Sequence, residues 1–181
     1  MIYFTSDTHF GHQNIISYCG RPFSSVEEMD FKLVNRWNKL VHPDDTVYHL
    51  GDFALTDKRG VVARLRQLSG HIVLIRGNHD RRETCGVLQK YGVPILDEAT
   101  LMVEGALLRL RHEPRRDQET ARAEIHLCGH VHEKWAFNTT YGLVINVGVD
   151  QWGFQPKTFL QLLTRYRASQ PQTGDECGVW Q

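Results

Sequence analysis

With 181 residues, 41% of them hydrophobic, the chain is long enough for one domain with a real core, too short for two, and not of disordered composition. Lys plus Arg and Asp plus Glu both number 21, so the formal charge is zero, which excludes a chain-wide basic field for grasping nucleic acid. Ten histidines are a high count, and the four cysteines (Cys19, Cys85, Cys128 and Cys177) show no Cys-x-x-Cys spacing, which argues against a zinc knuckle or a dithiol redox centre.

In chain order, residues 2–6 read as a short buried strand ending at Asp7. Residues 25–41 read as an amphipathic helix, capped by Ser24 or Ser25, with Glu27 and Glu28 in its first turn and Val26, Met29, Leu33, Val34 and Trp37 at helical spacing. Residues 46–50 form a second strand, ending at Gly51-Asp52. Residues 57–68 form a second helix stopped by Gly70, and residues 71–75 form a third strand, ending at Arg76-Gly77-Asn78. Such alternation predicts a largely parallel sheet with helices against it.

The second half changes character. Residues 99–103 and 106–110 read as a hairpin about Glu104-Gly105, 124–128 as a strand ending at Gly129-His130, and 143–149 and 158–163 as two more strands. The expectation is one domain over 1–168 with a flexible tail over 169–181. The chain opens on Ile2-Tyr3-Phe4 rather than on a basic and apolar signal segment, and no apolar run reaches membrane-crossing length. A cytoplasmic protein with reduced thiols and no membrane partner is expected.

Asp7, Asp52, Asn78 and His130 each follow an apolar strand. Ligand sites of open α/β sheets collect beyond the carboxyl ends of strands, so these residues would meet at one edge. Each has a plainer reading alone: Asp7 in a loop turn, Asp52 as a cap, Asn78 or Asp80 capping a helix that follows. Together with His9, His112 and His132 they supply carboxylate, amide oxygen and imidazole, which suit Mn²⁺, Fe or Zn better than Ca²⁺. His130 and His132 flank Val131, and in an extended loop their rings would diverge to different metals.

The ordered series Asp7-Thr8-His9, Gly51-Asp52, Gly77-Asn78-His79-Asp80, lone His112 and Gly129-His130-Val131-His132 resembles the calcineurin-like metallophosphoesterase superfamily. Small bacterial and phage phosphoesterases of that superfamily are the closer likeness. Their opening is similar to Ser6-Asp7-Thr8-His9-Phe10-Gly11-His12 and their close to Asn146-Val147-Gly148-Val149-Asp150. The resemblance implies an α/β (α+β) fold, a β-sandwich flanked by helices, with a dinuclear metal site at the carboxyl-terminal edge of the strands. It implies that Asp7, His9 and His132 hold one metal, Asn78, His112 and His130 the other, and that Asp52 bridges them. His126 is the alternative to His112.

Two divalent ions are expected, Mn²⁺ first, with Fe, Zn or Ni as alternatives. They would hold a shared hydroxide that attacks phosphorus in line with the leaving oxygen. His79 would be the general acid, with Asp80 or Asp7 as its orienting partner. Arg115 and Arg116, beside His112, with His12 and Asn14, are the candidate substrate contacts. Arg21, Arg76, Arg81 and Arg82 are further arginines that suit phosphate, although solvated surface charge is the simpler reading for each. Trp37, Trp135 and Trp152 read as packing residues, Cys128 as a buried inert thiol, and His49 and His71 as core or edge residues. The expected partner is a phosphate ester, small or nucleotide-like. Nuclease or phosphomonoesterase activity at the same site is the alternative, and a binding scaffold is a third reading that the intact site disfavours.

Overall fold

The computed structural model describes residues 1–114, 124–140 and 142–170. Strands β1 (Ile2–Thr5), β2 (Thr46–His49), β3 (His71–Ile75) and the short β4 (Ile95–Leu96) run parallel in that order, and β10 (Lys157–Thr158) closes the free side of β1 antiparallel. A second sheet has the order β5-β6-β7-β9-β8, from Ala99–Val103, Ala106–Leu110, Glu124–Cys128, Val144–Asn146 and Phe137–Asn138. Within it β6, β7 and β9 are parallel, and β5 and β8 are antiparallel edges. The expected parallel first half and the hairpin about Glu104-Gly105 are both present.

Alternation along the first sheet fills two apolar layers. Tyr3, Val47, Ile72 and Leu74 face helices α2 (Val26–Asn38), α3 (Lys58–Leu65) and α4 (Arg82–Lys90), meeting Met29, Leu33, Trp37, Val61 and Leu88. Phe4, Leu50 and Ile75 face the other way, onto Leu108, Leu110, Leu127, Ile145 and Val147 of the second sheet. The result is a two-sheet sandwich with helices on the outer face of one sheet. Ser25 Oγ accepts the Glu28 N–H at the start of α2, and Asp57 does the same for Gly60 at α3. Helix α1 (Gln13–Tyr18), only six residues long, is too short to show a periodicity in sequence.

One element differs in kind from the sequence reading. Residues 158–163, expected as a strand, begin helix α5 (Phe159–Ser169), and only Lys157 and Thr158 pair with β1. Thr158 and Gln161 form a reciprocal capping box, which satisfies two backbone N–H groups that a strand would have sent to a neighbour. Phe159 and Leu162 then turn into the inter-sheet core, three residues apart as a helix requires. The helix ends at Ser169, and the segment 171–181 of the expected tail, with Cys177, lies outside the described residues. No helix among the described residues is long and apolar enough to cross a membrane.

Because α5 is fixed by its cap and by Leu162, Thr158→Ala should lower unfolding free energy by about 1 kcal/mol and Leu162→Ala by about 2–5 kcal/mol in urea titrations.

Candidate metal centre

Six parallel strands end at the same edge of the sandwich, and each end delivers a polar side chain. Asp7 and His9 follow β1, Asp52 follows β2, Asn78 follows β3, His112 follows β6, His130 and His132 follow β7, and Asp150 follows β9. Parallel pairing of Ser6 with Gly148 joins the two sheets there. The turns are strained. Asp7, His9, Asp52, His130 and His132 all have φ between 46° and 68°, and they make up five of the seven non-glycine residues in the left-handed region among the described residues. Backbone bonds hold them: Asp7 N–H donates to Gly51 O and His9 N–H to Asp52 O, each at 3.0 Å. Gly51 is obligatory, since a Cβ there would stand 2.5 Å from His112 Nδ1 and 2.7 Å from the Gly77 backbone, at φ 96°.

The side chains fall into two groups that share Asp52. Asp7, His9, Asp52 and His132 each present a ligand atom within 4.8 Å of the others. Asn78 Oδ1 lies 2.8 Å from His112 Nε2 and 3.0 Å from His130 Nδ1, and His112 Nε2 is 3.5 Å from Asp52 Oδ2. His9 Nε2 is 3.4 Å from that same oxygen. His112 is held from behind by the Leu50 carbonyl, which must accept from Nδ1 at 2.7 Å and so turns Nε2 inward. His126, the alternative, lies mid-strand on β7 facing away from the Leu127 core side, so His112 is the residue that the fold brings to the site.

These donors suit a divalent transition ion. Buried His9 Nε2 has no hydrogen-bond partner, as expected of a nitrogen shaped for a ligand. A second trio, Cys19, His132 and Asp150, also clusters. There Arg21 occupies both Asp150 oxygens, which opposes a cation at that point.

Protonation follows the same geometry. Burial opposes charge on His112, yet the Asp52 carboxylate, with Asp7 and the Leu50 carbonyl, more than offsets it and lifts the pKa to about 9. Burial likewise opposes charge on His132, and Asp150 with Cys19 and Asp7 lifts it to about 10. His9, mainly desolvated, falls to about 4 despite Asp52. Burial pushes Asp52 upward, but His112, His9 and the His79 N–H together hold it well below the usual carboxylate range. Burial raises Asp7.

The other expected site residues are placed as follows. His79 is exposed at the rim, its ring 5.6 Å from that of His9, while its N–H donates to Asp52 Oδ1 at 2.8 Å. Asp80 does not orient that ring by any bond seen here. Its carboxylate accepts the N–H groups of Gly77, Asp52 and Phe53 at 2.8–2.9 Å. Nor do Asn78 or Asp80 cap α4, whose N-cap is Arg81 without a side-chain bond. His12 reaches the site, its ring 5.3 Å from His9, whereas Asn14 is exposed on α1. Arg115 and Arg116 lie outside the described residues. Arg76 pairs with Asp97 at 2.8 Å, and Arg81 and Arg82 are exposed. His49 is buried against Thr8 Oγ1, Trp37 and Trp152 are core, and the buried Cys128 thiol is pushed up in pKa by desolvation.

Three residues gain roles that no local signal announced. Asn146 is fully buried, donates to His132 O and Trp135 O at 2.8 and 2.9 Å, and accepts the Gly148 N–H, so it fastens the His132 loop to β9. Arg21, one of the tempting phosphate arginines, is buried and bonded to Asp150, and Asp150 in turn faces His132. Asn146 and Asp150 stand in the closing motif, and only the fold gives them partners.

A family model described as the calcineurin-like phosphoesterase superfamily domain matches residues 1–165. The chain is 55% identical over 82 residues to an uncharacterised protein of Methanocaldococcus jannaschii, covering 44% of this chain and 47% of that one. It is 38% identical over 81 residues to the gene 66 protein of Mycobacterium phage L5, covering 43% and 39%. The matched stretch thus spans less than half the length of these relatives. Among solved structures it is similar to a protein of unknown function, AQ665, from Aquifex aeolicus (TM-score 0.73, 26% identity, 91% of this chain and 98% of that one). In fold it is also similar to a novel archaeal phosphodiesterase (TM-score 0.53, 20% identity, 81% and 82%).

The raised pKa values of His112 and His132 make the metal-free fold pH-sensitive. A histidine whose folded pKa exceeds its ordinary 6.5 contributes stability that is full below 6.5 and lost as pH rises through the folded value. Chelator-treated protein should therefore melt at progressively lower temperature from pH 6.5 to 9. Metal-loaded protein should show a flatter profile, because a bound cation takes the place of those protons. Thermal melts at constant ionic strength check both.

Proposed function

Because the chain belongs to the calcineurin-like phosphoesterase superfamily, whose members are metal-dependent, we propose that it is a two-metal phosphodiesterase acting on a small or nucleotide-like diester. The observation that carries this reading is the position of Asp52 Oδ2, within 3.5 Å of a histidine from each donor group. Asp7, His9 and His132 would hold one ion, Asn78, His112 and His130 the other, and Asp52 both. Mn²⁺ is the ion we assign first: mixed oxygen and imidazole donors suit Mn²⁺, Fe²⁺, Zn²⁺ and Ni²⁺ alike, and metal supply rather than raw affinity, which is lowest for Mn²⁺, decides among them. Such a pair supplies an activated water at neutral pH and neutralises charge on the phosphoryl oxygens.

The chain's own residues do the rest. Asp52 is fixed by the His79 N–H and by the Asp80 bridge, so the ligands need little rearrangement. The His79 side chain, exposed at the rim beside His9, would give a proton to the departing alkoxide, which a diester with a poor leaving group needs. The His12 ring also stands beside His9, at 5.3 Å, within reach of a bound ester.

A polar cleft of about 510 Å³ opens from Asn78 and His112 toward Arg76, Arg111, Asp97 and Glu113. Both arginines already have carboxylate partners, Arg76 with Asp97 and Arg111 with Glu98 at 2.9 Å. These described walls offer hydrogen bonds more than net positive charge, which favours a nucleoside-sized neutral group over a polynucleotide track.

Metal-stripped protein given Mn²⁺ should hydrolyse bis(p-nitrophenyl) phosphate, and Asp52→Asn should lose both the metal and the activity. His79→Ala should keep its metal and lose about 10²–10⁴-fold in kcat on diesters with alkyl leaving groups, with a smaller loss on nitrophenyl esters that leave unaided. Mn²⁺-independent turnover, or turnover that survives in Asp52→Asn, would sink the proposal. Faster turnover of p-nitrophenyl phosphate than of the diester would assign a monoesterase instead.

A further inference from the structure

Arg21 and Asp150, 129 residues apart, make a two-point ion pair whose side chains are 0% and 3% exposed. Nε and Nη2 of Arg21 donate to the two Asp150 oxygens at 2.8 and 2.9 Å. The same guanidinium reaches the first ligand turn, with Nη2 donating to Asp7 O at 2.7 Å and Nη1 to Thr8 O at 3.1 Å. On its other side Asp150 Oδ2 lies 3.3 Å from His132 Nδ1. A carboxylate held ionised by a buried arginine only accepts, so Nδ1 keeps its proton and Nε2, 3.9 Å from Asp7 Oδ1, is the nitrogen turned inward.

His112 is turned inward in the same manner, but by the backbone carbonyl of Leu50. The two inward rings thus differ: a replaceable side chain orients one and the main chain orients the other. Arg21 fixes both Asp150 oxygens in place and at the same stroke pins the carbonyls of the strained Asp7-Thr8 turn.

We propose that Asp150, backed by Arg21, is a positioning residue for one metal position only, the one formed by Asp7, His9 and His132, and leaves the Asn78, His112 and His130 position unaffected. This rests on the two-metal reading above.

The test is a Mn²⁺ titration of metal-stripped full-length chain, with free Mn²⁺ counted by electron paramagnetic resonance. Wild type should take up two ions per chain. Asp150→Asn should hold one ion with unchanged affinity and the second about 10–100-fold more weakly, and excess Mn²⁺ should restore turnover. Should Asp150→Asn fail to give a cooperative melt, Arg21→Met with Asp150→Leu is titrated instead, since it removes both charges together and leaves neither buried unpaired. Two ions at wild-type affinity in the variant, or an equal loss at both positions, overturns the proposal while the two-metal reading stands. A wild type that takes up fewer than two ions overturns that reading, and this proposal with it.

Discussion

The carboxylate of Asp80 closes three backbone N–H groups, from Gly77, Asp52 and Phe53, and thereby locks the loops after β2 and β3 together. Burial pushes this carboxyl toward its neutral form, and the three donors oppose that shift. What the bridge secures is Asp52, a residue in the costly left-handed region whose one oxygen meets the His79 N–H and whose other faces His9 and His112. Gly51 and Gly77 are part of the same constraint, because a Cβ at either would collide with the backbone across the gap. Strain at such turns persists only where surrounding structure over-determines it, and here several loops do so at once.

Charge balance is the second constraint. Asp7 and Asp52 are buried and Asp150 is nearly so, yet among the described residues Arg21 is the only buried Lys or Arg. The remaining negative charge must be met by protons on His112 and His132 or by bound cations. Protonation and cation binding would therefore be two ways of neutralising one set of carboxylates, a bound cation displacing the histidine protons. Neutral His9 fits this division, being too desolvated to share the charge.

Much of the site was legible because its residues follow apolar strands: Asp7, Asp52, Asn78 and His130 each announce themselves by position, and the fold brings them to one edge. Their partners were not legible. Arg21 looks like surface charge in sequence, and nothing local ties it to Asp150 across 129 positions. Asp80 was read as a cap or as an orienting group because both roles suit an Asp after Asn-His, whereas the decisive bonds come from Asp52 and Phe53, far away in the chain. The strand expected over 158–163 failed because Phe159, Leu160, Leu162 and Leu163 form an apolar run compatible with either period. The Thr158–Gln161 box, four residues with a helix-start signature, was the signal that arbitrated.

The candidate donor side chains come from both sheets and span the chain from Asp7 to His132, with His130 N–H closing onto the Asp7 carboxylate across 123 positions. No hairpin or single βαβ unit contains even one complete donor group. Parallel pairings of this kind assemble late, because long loops must close before their contacts form. Ions held at this edge would stabilise only the finished sandwich, since both donor groups need it assembled. Contacts that form last act on the rate of opening and leave the rate of closure alone. Ions bound here would thus lengthen the life of the assembled protein and leave the speed of its assembly to the apolar layers.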